Sequence, residues 1–178
     1  MHDRFLATVG LVLATLLLPV PAASAATAAP KAQTTAQTTA QSSVYKMKLK
    51  PGVSLSEAAD SMRLRANALN LQLVAELPMS QQVEAVTGKP QRTIIIFQFC
   101  DAVLARDLIE VNMDFSIYMP CRIALIEDAS GQGWLVMMDV SIDAVAQEKR
   151  LPPALKERIT AVRNALINIM QAGARGDL

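Results

Sequence analysis

Histidine is almost missing from this chain: 178 residues carry one, His2. That residue stands just ahead of an apolar run over residues 5–20, which ends in Pro19, Val20 and Pro21 and the small residues at 22–26. The pattern is that of a secretory signal peptide, and the run is short for a membrane-spanning helix. Ala23-Ser24-Ala25 supplies the A-x-A pattern that sets cleavage before Ala26, so residues 1–25 are expected to be removed and His2 with them. A mature chain without imidazole excludes Ser-His-Asp and Cys-His nucleophile activation, histidine zinc sites and haem on a proximal histidine. Charge of one sign is lacking too: 17 Lys and Arg against 16 Asp and Glu leave +1, no field to hold a nucleic acid or an anionic membrane. The strings G-x-S-x-G, H-E-x-x-H and C-x-x-C-H and Gly-rich phosphate loops do not occur. No Cys stands at the cleavage point to take a lipid, so the expected product is soluble and secreted, periplasmic if the source is Gram-negative.

Residues 26–43 read ATAAPKAQTTAQTTAQSS, with neither an aromatic nor a large aliphatic side chain to bury, and are expected to form a disordered linker. Residues 44–174 then make one domain of modal size, with a short tail at 175–178. Tyr45, Met47 and Leu49 alternate with Lys46, Lys48 and Lys50, which predicts a first strand whose lysines guard an exposed edge. Ser54 and Glu57 form a capping box, and Leu55, Ala59, Met62, Ala66 and Leu69 follow at helical spacing to about Asn70. Leu71, Leu73, Ala75 and Leu77 predict a second strand, and residues 80–86 a short helix stopped by Gly88.

Residues 93–99, TIIIFQF, are apolar on both faces apart from Gln98, which places them at the middle of a sheet covered by helices. Asp101 caps a helix over Ala102–Val111 with Leu104 and Leu108 in its buried stripe. Strands over 122–127 and 134–139 flank a Ser130-Gly131 turn as an antiparallel hairpin. Pro152-Pro153 opens a last helix, in which Leu155, Ile159, Val162, Leu166 and Ile169 form a stripe that runs until Gly173 and must cover something. The fold class expected is α+β: a mixed or antiparallel sheet of about five strands packed with three to four helices.

Cys100 and Cys121 are the only thiols, in a chain whose export favours a disulfide. If the strand after the 102–111 helix runs antiparallel to the one before it, Cys121 returns beside Cys100; a parallel crossover would put them at opposite ends of the sheet. A bridge is the bland reading. A redox or sulfur-carrying pair is the second: Cys100 precedes a helix N-terminus and Cys121 adjoins Arg122, both of which would lower a thiol pKa. What remains is a pair of buried unpaired thiols, or Cu(I) binding with Met113, Met119, Met137 or Met138, since thiolate and thioether select that ion, although methionine with no fixed ligand spacing is more often core filler. The carboxylates, including Asp107, Glu110, Glu127 and Asp128, read as solvated surface.

Three strings resemble the domain-of-unknown-function family numbered 302: IIIFQFCD at residues 94–101, Met119-Pro120 followed by Cys121-Arg122, and Glu127-Asp128-Ala129-Ser130-Gly131 before Trp134. The chain departs from the common pattern at Leu77-Pro78-Met79, where that family has a histidine, and at residues 98–101, where it has Gly-Asn-Pro. It looks like a branch with cysteine in both signature turns. The resemblance implies a compact α+β domain, a homodimer, and no established activity; the two cysteines falling in both turns favours their proximity. The expected function is a non-enzymatic module, stabilised by a Cys100-Cys121 bridge, that binds a small ligand or protein partner near those turns, with Phe99, Asp101, Pro120 and Arg122 as neighbours and no cofactor.

Overall fold

The computed structural model describes residues 44–177; the expected leader and linker lie outside them. In chain order the elements are β1 (Val44–Lys48), α1 (Leu55–Ala68), β2 (Gln72–Pro78), α2 (Met79–Thr87), β3 (Ile94–Cys100), α3 (Ala102–Val111), a 3-10 helix (Met113–Tyr118), β4 (Cys121–Glu127), β5 (Gly133–Met138), α4 (Ile142–Glu148) and α5 (Pro153–Arg175). The five strands form one sheet in the order β1-β5-β4-β3-β2, every neighbouring pair antiparallel. The α+β class, the strand count and the edge position of β1 agree with the sequence.

Local chemistry explains the boundaries. The Ser54 hydroxyl accepts from Glu57 N at 3.1 Å while the Glu57 carboxylate accepts from Ser54 N at 2.8 Å, the reciprocal box that starts α1. Asp101 Oδ1 accepts from Leu104 N at 2.9 Å and starts α3. Gly88 takes the left-handed conformation that ends α2.

Three expectations need correcting. The run TIIIFQF is interior but not central, because β4 holds the middle of the sheet. Nor do helices cover both of its faces: Phe97 and Phe99 point into the core, while Ile94 on the other face is 37% exposed. Aliphatic residues on both sides of a strand therefore do not require two helical layers. The third concerns Gly173, which does not end the last helix; α5 continues to Arg175 and closes at left-handed Gly176. Gly173 instead meets α1. A Cβ built on it would lie 2.7 Å from Met62 Cγ and 3.1 Å from the Ala58 carbonyl oxygen, so only glycine permits the two helices this approach.

α1 and α5 pack on each other and on the same face of the sheet, around Met62, Phe97, Phe99, Ile123, Leu125, Leu135, Ile169 and Met170. A second, smaller core joins α3, the 3-10 helix, α4 and the start of α5 through Leu104, Leu108, Phe115, Ala146 and Leu151. Val162 of α5 packs against both.

Candidate functional site

Where the two cores meet they do not close. Between them lies a cavity of about 160 Å³, partly open to solvent and walled almost wholly by apolar side chains. Its floor is the end of the sheet where β3 stops and β4 starts, with Cys121 and Met137. Leu104 and Leu108 of α3, Phe115 and Tyr118 of the 3-10 helix, Ile142 and Val145 at α4, and Ile159, Val162 and Leu166 of α5 complete it. Among the described residues every buried side-chain nitrogen or oxygen has a hydrogen-bond partner.

Three charged residues border the cavity, Asp101, Arg122 and Arg163. Arg163 donates through Nε and Nη2 to Asp139 Oδ1, at 3.1 and 2.6 Å. Arg158 donates to Asp107 Oδ2 at 2.6 Å and reaches Asp101 at 3.9 Å. These pairs tie the first half of α5 to α3 and to the exit of β5. The two arginines beside Asp107, Arg106 and Arg158, hold its carboxyl below the usual carboxylate range.

Both cysteines border the cavity and neither is bridged. β3 and β4 are antiparallel, the arrangement that brings the two residues to one end of the sheet, but the register is offset by one: Cys121 faces Phe99, not Cys100. Successive side chains of a strand point to opposite sides, so Cys121 shares the core face with Phe99 while Cys100 belongs to the other. Burial raises the Cys121 thiol pKa, as does the nearby Cys100, and the adjacent Arg122 opposes them only in part. The Cys100 thiol is also pushed up, by burial and by Asp101. The shifts run opposite to the lowering that a helix N-terminus and an arginine alone would bring.

Of the four expected neighbours, Asp101 and Arg122 border the cavity. Phe99 is fully buried beneath it, stacked on Phe97 at 6.4 Å, and Pro120 follows a cis bond from Met119. Arg122 stands across from Gln98 on the outer face of the sheet and is exposed. Sequence reasoning missed the α4 and 3-10 walls altogether. It did isolate the α5 stripe, whose Ile159, Val162 and Leu166 form one side of the cavity.

The model of the family described as domain of unknown function DUF302 matches residues 45–173. The chain belongs to the DUF302 family. No curated protein matches it. Among solved structures it is similar to the crystal structure of an uncharacterized conserved DUF302 protein from Bacillus stearothermophilus, at 14% identity and a TM-score of 0.59 over 74% of this chain and 98% of that one. A likeness at that identity speaks to the fold. In this DUF302 chain the three resembling strings fall along β3 to the residue after it, at the entry to β4 and at the β4–β5 turn. The first two meet at the cavity.

Proposed function

We propose that this DUF302 domain is a non-enzymatic binding module, exported by its leader, whose cavity takes a small apolar molecule or the apolar end of an amphipathic one. The observation that carries this reading is the unfilled apolar space between the two cores. An aliphatic-lined cavity of about 150 Å³ holds a benzene-sized molecule, so the space here suits a single ring or a chain of about six carbons. With no unpaired buried polar side chain in the described residues, such a ligand gains by removing apolar surface from water, roughly 25 cal/mol per Å². Asp101, which borders the cavity, caps a helix, and the neighbouring Asp107 and Asp139 pair with arginine, which fits binding better than acid-base work.

Methionine methyl NMR tests the proposal with toluene and 1-hexanol as probes. The methyl signals of Met119 and Met137 at the cavity should shift on titration, while that of Met170, buried in the main core away from it, stays in place. Val162→Trp, which fills the cavity, should abolish the shifts. Absence of any shift in the parent protein, or shifts that persist in the filled variant, would overturn the reading.

A further inference from the structure

The 178 residues include two cysteines and nine methionines, and five of these sulfur residues border one cavity: Cys100, Met119, Cys121, Met137 and Met138. The strand register sorts them. Met137 stands across from Ile123 and Cys121 across from Phe99, both core-facing positions, so Cys121 and Met137 occupy the same face of neighbouring strands. They are one diagonal step apart, about 7–8 Å between backbone positions, which the long methionine side chain can span. Met119 lies two residues before Cys121, borders the cavity and packs against the second core. Cys100 and Met138 each follow a core-facing residue, so the pleat turns them outward. Met113, the remaining methionine that the sequence suggested, is 76% exposed and does not border the cavity.

We propose that Cys121 Sγ, Met119 Sδ and Met137 Sδ together form a binding site for one soft monovalent cation, Cu(I). Thiolate and thioether are the ligands that select this ion, and no group of three His, Cys, Asp or Glu able to hold a metal occurs among the described residues. Charge sharpens the choice. On binding, the Cys121 S–H bond breaks, its proton passes to water and an S–Cu bond forms; copper enters and stays as Cu(I), and no electron moves. Thiolate plus monocation is neutral, which an apolar wall tolerates, whereas a divalent ion on the same three sulfurs would leave a net positive charge there.

The test is anaerobic competition of the full reduced chain against bicinchoninate-bound Cu(I). One equivalent of Cu(I) should be withdrawn from the chelator with release of about one proton, and Cys121→Ser should abolish the transfer. Met119→Leu and Met137→Leu, which conserve volume, should each weaken binding by about tenfold or more, the scale that loss of even an outer-shell partner brings. Met113→Leu, at a methionine that does not border the cavity, should leave it unchanged. Thermal melts of each variant identify any that fail to fold, and the two methionine variants carry the test if Cys121→Ser is among them. The proposal is overturned if no Cu(I) is withdrawn, if folded Cys121→Ser still takes it, if neither methionine variant weakens it, or if Zn(II) binds as tightly. The toluene and 1-hexanol titrations use metal-free protein, so the two proposals succeed or fail separately.

Discussion

Asp128 collects four donors in the turn between β4 and β5. Its Oδ1 accepts from Ser130 N at 2.8 Å, Ser130 Oγ at 2.6 Å and Gln132 N at 3.1 Å, and its Oδ2 accepts from Trp134 Nε1 at 2.8 Å. Each bond favours the charged form, so the carboxyl is held far below its ordinary range. A group whose folded pKa is depressed contributes stability above its unfolded pKa, about 3.9 for Asp, and loses it as pH falls toward the folded value. Urea unfolding at a series of pH values should therefore show Asp128→Asn less stable than the parent at pH 7, with the gap narrowing toward pH 3. An equal gap at both ends would assign the loss to turn geometry rather than charge. Gly173 is the second residue on which much depends. With the Ala58 carbonyl fixed in α1, an added methyl must push the helices apart, and Gly173→Ala should cost about 1–3 kcal/mol despite its better helix propensity. A variant that melts at or above the parent's temperature would show that α1 and α5 separate freely.

Elements with their own start signals are the ones the sequence discloses. Ser54 with Glu57, Asp101, and Pro152-Pro153 open α1, α3 and α5 where expected, and the alternation of Tyr45 and Met47 with lysine yields β1 as an edge. The cap of α3 also supports one wall of the cavity, so Asp101→Ala should lower stability by about 1 kcal/mol in denaturant melts. It should also weaken toluene binding, because Leu104 and Leu108 lose their anchor; a variant with unchanged stability and affinity would show that α3 is held by packing alone. What escaped is equally local in cause. α4 is seven residues long, too few to establish a helical period, although Ser141 caps it by accepting from Ala144 N at 3.3 Å. The segment between α3 and β4, for which the sequence predicted no element, winds into a 3-10 helix around Phe115. The sequence left the direction of the strand after α3 open, and only the family resemblance favoured placing Cys100 and Cys121 at one end of the sheet, where the antiparallel pairing of β3 and β4 puts them. The one-residue offset that parts their faces was not legible, because register is set by contacts between strands 21 residues or more apart in sequence.

At the scale of the whole molecule, the cavity is the space left where a sheet core and a helical core share Val162 but few other residues. Such a space costs stability that an occupant can restore, and this links binding to folding. Leu108→Ala removes a buried side chain from the cavity wall and should destabilise by about 2–5 kcal/mol. Leu125→Ala, in the sheet core and away from the cavity, should cost a similar amount. Toluene distinguishes them. A ligand of the folded state adds stability as its concentration rises above its dissociation constant, about 2.7 kcal/mol at a hundredfold excess, so the Leu108 variant, whose enlarged space should bind toluene more tightly, should gain more than the parent at the same toluene concentration in thermal melts. The Leu125 variant should rise only as far as the parent does, since its new void is sealed within close-packed residues. Equal rescue of both variants beyond the parent's own rise would mean that the probe dissolves in any loosened core, and a domain built of two imperfectly joined halves would then have no selective space to offer.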